Sequence, residues 1–239
     1  MSHDNWSKLY DKVYQLTFGG IYESFTNTTL REINKILPAG SILDFGAGTG
    51  RLSIPLVQQG YEVIAVEQSS GMVDVFKEKC AEKGLTFPIY PCSIANYSNG
   101  SADLALAVFT VLSYIIDEEE MLKSLQNITD HLNPNGLFFF DLPDNVFFAN
   151  PVLFNINRPD FQRKVTINPS GVHQIFNYRE QGSLVFDGAT KNYEDEFPIR
   201  QWDWASIDRL LVMAGLTNTG RTFPTFNGTG STYKLYQKR

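Results

Sequence analysis

Asp44, Gly46, Gly48, Gly50 and Glu67 are the residues whose types and spacing point most directly to chemistry. The first four fall in Ile42-Leu43-Asp44-Phe45-Gly46-Ala47-Gly48-Thr49-Gly50, a short apolar strand running into a glycine-rich turn. Residues 51–59 then read as a helix stopped by Gly60. Glycine accepts positive φ and presents no β-carbon, so such a turn brings main chain close to a ligand. The helix start adds unpaired N–H groups and partial positive charge. A dinucleotide fingerprint, G-x-G-x-x-G, would need glycine where Arg51 stands, and no Gly-Lys-Ser/Thr follows to make a Walker-type phosphate loop. The next strand, residues 61–66, ends at Glu67. In a parallel sheet that carboxylate lies beside the turn, suited to gripping two vicinal hydroxyls.

These motifs resemble those of the class I S-adenosylmethionine-dependent methyltransferases. Asp44-x-Gly46-x-Gly48-x-Gly50 matches the family's first motif, and Glu67 matches the acid ending its second strand. Residues 102–109 match its fourth strand, and residues 133–141 its next turn and fifth strand. The likeness is good over residues 30–143 and looser in the last quarter. It implies a Rossmann-like, mostly parallel sheet of seven strands with an antiparallel last strand, and S-adenosylmethionine as cofactor. Carried onto this chain, the cofactor contacts are Asp44, Phe45, Gly46, Ala47, Gly48, Gly50 and Arg51 at the turn, and Glu67, Gln68 and Met72 around the ribose and adenine. Ser93 and Ile94 follow at the adenine, where the family usually has an acid, and Phe109 and Thr110 follow beside the methyl group. Tyr10 and Tyr14 are expected in an N-terminal lid, where an aromatic face attracts the cationic sulfur.

The elements that must position these groups are legible in outline. Trp6, Tyr10, Tyr14 and Phe18 recur every fourth residue, one face of a helix interrupted at Gly19-Gly20, the lid's hinge. Residues 27–37 predict an amphipathic helix, and Ser69-Ser70 caps a helix that closes at Gly84. Residues 87–91 predict the third strand. The apolar run 102–110 predicts a strand buried on both faces. Asp117 with Glu120 forms a capping box, and Asp203 caps a helix over 206–214. Residues 216–226 and 231–238 predict a closing hairpin.

Residues 144–200 depart from a basic methyltransferase. Segments 163–168, 172–178, 183–187 and 190–197 alternate in character, with turn signals at 168–171, Gln181-Gly182 and Asp187-Gly188. They predict an inserted antiparallel meander between residues 1–143 and 201–239, roofing an acceptor, joining two copies as a homodimer, or both. Architecturally it is similar to insertions in methyltransferases of small amines. His173, sharing a strand face with Ile175 and Asn177, and Tyr114, after the fourth strand, are the catalytic candidates. Arg179 and Arg200 could fork a carboxylate or phosphate, or pair with surface acids.

The chain has 239 residues and a formal net charge of −6, without a basic run. That balance disfavours nucleic acid, which calls for a basic face, and the expected acceptor is a small molecule, methylated at N, O or C. Cys80 and Cys92 have no metal-ligand or redox spacing, so no metal is expected. No segment reads as a secretion leader or membrane span, which predicts a cytoplasmic protein away from membranes. A non-catalytic methyltransferase-like scaffold and a nicotinamide-dependent oxidoreductase are the competing functions.

Overall fold

The computed structural model describes residues 3–239. Two helices, α1 (Ser7–Phe18) and α2 (Gly20–Ile36), lead into β1 (Ser41–Phe45), α3 (Ser53–Gln58), β2 (Glu62–Val66), α4 (Ser70–Glu82) and β3 (Ile89–Tyr90). Next come β4 (Ala102–Ala107), α5 (Glu118–Asp130), β5 (Leu132–Pro143) and α6 (Asn145–Ala149). The chain then forms β6 (Ile156–Arg158), β7 (Phe161–Pro169), β8 (Ile175–Phe186) and β9 (Ala189–Arg200), and ends with α7 (Trp204–Met213), β10 (Leu216–Asn218) and β11 (Ser231–Lys238).

The large sheet has seven strands in the order β10-β11-β5-β4-β1-β2-β3. β1 to β5 pair in parallel, and β11 runs antiparallel to both β5 and β10. This is the Rossmann-like architecture that the resemblance implies. Both faces are covered. Phe45, Ala105, Phe138 and Phe140 meet α5 and α7 through Leu125, Ile128 and Leu211. Ile42, Leu104, Leu106 and Phe139 pack on the other side with Ile33 of α2 and Leu56 of α3. Side chains buried on both faces explain why these strands read as continuous apolar runs.

Local caps follow the sequence closely. Ser69 Oγ accepts from Met72 N at 3.2 Å, Asp117 from Glu120 N at 2.9 Å and Asp203 from Ser206 N at 2.8 Å. Three boundaries differ from expectation. α2 begins at Gly20, seven residues earlier than residue 27, because Gly19 at φ 55° ends α1 and the chain turns straight into the next helix. β10 stops at Asn218, well short of residue 226, and a single 3-10 turn follows at Pro224–Phe226. The four-stranded sheet is β6-β7-β8-β9, and residues 175–186 are one strand. Gln181-Gly182 is therefore not a turn. A β-carbon on Gly182 would lie 2.2 Å from the Gln162 carbonyl oxygen, so this glycine permits close approach of the neighbouring strand. Asp187-Gly188, with φ of 51° and 76°, does turn β8 into β9.

The inner face of the small sheet meets α1: Trp6, Val13 and Tyr14 pack with Phe161, Leu184 and Tyr193. Beneath them Arg163 donates to Glu180 through Nε at 2.8 Å and Nη2 at 2.9 Å, and Tyr178 Oη donates to the same carboxylate at 2.6 Å. Among the described residues no helix is long and apolar enough to cross a membrane.

Candidate functional site

The parallel register builds the site. Phe45 pairs with Val66, so the turn after β1 and the residue after β2 emerge side by side. Gly46 N and Ala47 N both donate to the Val66 carbonyl, at 2.8 and 3.2 Å. Glu67 Oε2 then accepts from Gly48 N at 2.9 Å, and Oε1 from Ser69 N at 2.8 Å. Gly46, Gly48 and Gly50 all have positive φ, at 68°, 57° and 84°. They serve different ends. A β-carbon on Gly46 would meet Val111 at 2.6 Å and one on Gly50 would meet the Phe76 ring at 2.3 Å, whereas one on Gly48 would enter open space. Gly48 is the glycine over which a ligand has room.

Asp44, nearly fully buried, accepts from Ser53 Oγ at 2.5 Å. Burial pushes its carboxyl up to about 6 against the opposing help of Ser53 and Arg51. Burial raises Glu67 too, with the backbone N–H groups of Ser69 and Gly48 working the other way. Arg51 rests among the rings of Tyr22, Phe25 and Phe109, its guanidinium carbon 5.6, 5.6 and 4.9 Å from their centroids. Its Nη1 donates to Thr26 Oγ1 at 3.1 Å, and among the described residues no carboxylate lies within ion-pairing distance. Such a cation is available to an anionic ligand group.

Beyond β4 the chain does something costly. Phe109 and Thr110 are consecutive non-glycine residues at φ 79° and 64°. Asp141, at the end of β5 and fully buried, holds them: Oδ1 accepts from Phe109 N at 2.6 Å and from Thr110 N at 3.1 Å. Burial pushes Asp141 up to about 6, opposed by those N–H bonds and by Arg51. This strained loop sets Phe109 and Val111 on the cleft wall.

The N-terminal segment closes the top. Asp4 Oδ1 accepts from Ser69 Oγ at 2.6 Å and Gly71 N at 3.0 Å, an anion at the start of α4. Gly71 is needed there, since its β-carbon would lie 2.7 Å from the Asp4 carbonyl oxygen. Asp11 takes Thr49 Oγ1 at 2.7 Å and Lys79 Nζ at 2.9 Å. On its other side Trp6 Nε1 donates to Asp195 of β9 at 3.1 Å. One short segment thus ties the glycine turn to the small sheet.

The cleft is lined by Tyr10, Asp44, Gly46, Ala47, Gly48, Arg51, Glu67, Gln68, Met72, Ser93, Ile94, Phe109 and Tyr114. Four further residues expected at the cofactor do not line it. Phe45 is buried core, Gly50 backs onto Phe76, and Thr110 bonds to Asp141 behind the wall. Tyr14 is buried among Tyr10, Phe109 and the small sheet. His173 is not on a strand with Ile175: it lies exposed in the turn before β8, outside the cleft, so the structure gives it no part in catalysis there. Arg179 pairs with Glu194 on the surface, and Arg200 stacks on Trp202 at 3.7 Å and donates to the Ile116 carbonyl at 2.9 Å. His3 and Tyr22 also line the cleft. Neither sits in a motif. Tyr22 could have been found by continuing the helical spacing from Phe18, but His3 carries no local signal at all.

Residues 42–136 match the family model described as a methyltransferase domain. A relative in Geobacillus sp. (strain WCH70), named as a methyltransferase, is 25% identical over 143 residues, which are 59% of this chain and 58% of the relative. The chain thus spans under two thirds of that relative's length. A crystal structure of an S-adenosylmethionine-dependent methyltransferase from Clostridium acetobutylicum ATCC 824 superposes with a TM-score of 0.81, at 19% identity, over 99% of this chain and 98% of that one. An S-adenosylmethionine-bound amino pentose methyltransferase from Micromonospora echinaspora gives 0.73 at 13% identity, over 97% of each chain. Residues 42–136 thus carry a methyltransferase domain, and the chain as a whole shares the fold of these solved structures.

Proposed function

We propose that this protein transfers the methyl group of S-adenosylmethionine to a small-molecule amine. The observation that carries the donor half is Glu67, a buried carboxylate on the cleft wall, fixed by Gly48 N and Ser69 N beside open space above Gly48. The residues fit the donor in charge as well as shape. Glu67 faces the place for the ribose hydroxyls, Asp44 supplies negative charge near a cationic tail, and the unpaired Arg51 suits a carboxylate. The rings of Tyr10, Tyr22 and Phe109 supply negative faces for a positive sulfur. When bound, the donor brings an activated methyl group and a good leaving group. The protein's own part is to bind, orient and exclude water.

An amine is favoured as acceptor because the cleft lining brings Glu120 together with the rings of Tyr10, Tyr22 and Tyr114, and Arg51 is its one lysine or arginine among the described residues. The amino pentose methyltransferase has the same overall fold, which supports this reading by analogy. The test is a calorimetric titration with S-adenosylhomocysteine, followed by product assays on a panel of aminosugars, alkylamines, phenols and carboxylates. Binding of the homocysteine compound, with methyl transfer to amines in preference to the rest, is the expected result. Absence of binding removes the donor, and transfer only to phenols or carboxylates removes the amine.

A further inference from the structure

His3, Asp195 and Tyr114 form an acid–imidazole–phenol chain that comes together from three distant parts of the sequence. Asp195 Oδ2 lies 3.2 Å from His3 Nδ1 and also accepts from Trp6 Nε1 at 3.1 Å and from the His3 backbone N–H. On the other side of the imidazole, Nε2 is 3.1 Å from the Tyr114 hydroxyl. The ring is 7% exposed and is enclosed edge-on by Trp6 and Phe197, with Tyr10 tilted beside it. His3 holds a left-handed backbone, φ 66° and ψ −2°, a conformation kept only where surroundings enforce it. Both the imidazole and the phenol line the candidate cleft.

We propose that this chain of groups accepts the proton of the methyl acceptor, with Tyr114 meeting the acceptor and His3 Nε2 receiving the proton. The inference rests on the methyltransferase reading above. The Asp195 carboxylate lies within ion-pairing distance of Nδ1 without an aligned hydrogen bond, and its charge favours the tautomer with hydrogen on that nitrogen, leaving Nε2 as the lone-pair acceptor toward the phenol. The acceptor amine enters as its ammonium form, and one of its N–H protons passes to Tyr114 Oη as the phenol's own proton passes to Nε2. The nitrogen pair so freed forms the new N–C bond while the methyl carbon's bond to sulfur breaks and sulfur keeps that pair. The products are a methylated ammonium, a neutral thioether and an imidazolium beside Asp195, and the imidazolium returns its proton to water as product leaves. Asp195 is the positioning residue for His3. The ionisable groups that face His3 are Asp195 from β9, Tyr114 from the turn after β4 and Tyr10 from α1, with the charge of Glu67 close by and Asp4 next in sequence.

The test uses the whole 239-residue chain, with His3→Gln, Tyr114→Phe and Asp195→Asn variants. S-adenosylhomocysteine binding should stay within about threefold in all of them, because none of these side chains is assigned to the ribose. With the best amine of the panel, kcat should fall roughly 100-fold or more in His3→Gln and Tyr114→Phe, the scale of a general base. The acid limb of the wild-type pH profile should vanish in His3→Gln, and added imidazole should restore rate to a His3→Gly protein. Failure of the wild type to bind S-adenosylhomocysteine would overturn the donor reading and take this inference with it. Normal binding with an unaltered pH profile and no imidazole rescue, or with no amine turned over, would overturn the proton chain alone.

Discussion

Single residues decide whether the cleft can hold its donor. Glu67 gives the sharpest case, since charge-assisted bonds from a carboxylate to two hydroxyls are worth roughly 1.5–3 kcal/mol each. Glu67→Ala is therefore expected to weaken S-adenosylhomocysteine binding by at least about tenfold, read by calorimetry. The variant also frees Gly48 N and Ser69 N, so part of any loss will come from a looser turn. The glycines separate these two effects. Gly50→Ala forces a β-carbon to 2.3 Å from Phe76 at φ 84°, and should cost about 3 kcal/mol of stability from overpacking and backbone strain together. Gly48→Ala meets nothing at φ 57°, and should cost only about 1 kcal/mol in urea unfolding while donor affinity falls further. Unchanged donor affinity in Gly48→Ala would mean that the space above Gly48 is not the donor's.

At the scale of elements, the buried Arg163–Glu180 pair sets the small sheet under α1. Two charges taken out of water are held there by a bidentate fork and one phenol. Removing one leaves the other uncompensated, so Glu180→Ala should destabilise by about 3–5 kcal/mol. Replacing both, as Arg163→Met with Glu180→Leu, should recover most of that; thermal unfolding of the three proteins checks it. A double variant no better than the single would put the damage in packing against Tyr178 and Tyr14. Neither partner of this pair carries a local sequence signal. Strands β1, β2, β4 and β5 were legible because burial on both faces writes an unbroken apolar run, and the caps at Ser69, Asp117 and Asp203 were legible because capping is local. Arg163 and Glu180 meet only through the β7–β8 register, which runs through the turn signal at Gln181-Gly182. The same holds in the cleft. Gly46, Gly48 and Glu67 announce themselves by spacing, whereas His3 becomes a cleft residue only through partners at positions 114 and 195. His173 shares a strand face with Ile175 by alternation in the sequence, whereas β8 begins two residues later, at Ile175.

The molecule as a whole carries its site's electrostatics into its stability. Asp44 and Asp141, both pushed to about 6 by burial, bind protons in the folded state at pH values where an unfolded aspartate has released them. The folded chain thus holds more protons than the unfolded chain between about pH 4 and 6, and stability falls as pH rises through that window. Acids held low act in the opposite sense: the Gln174 side chain and Ser206 hold Asp203 at about 2, and Ser41 and Asn133 hold Asp103 low. Their contribution is present above the ordinary aspartate range and is lost as pH falls below it. The two sets together predict maximal stability near pH 4–5, more acidic than neutrality. Urea unfolding across pH should show it, with Asp44→Asn and Asp141→Asn each flattening the fall toward neutral pH. A cationic donor favours the ionised form of Asp44, so its stabilising effect should grow between about pH 5 and 7.5. That growth should disappear in Asp44→Asn but persist in Asp141→Asn, since the Asp141 carboxylate is turned to the Phe109 and Thr110 amides and does not line the cleft. A donor effect independent of pH in the wild type would mean that no positive charge comes to rest near Asp44, and would place the sulfonium and its amino acid tail elsewhere.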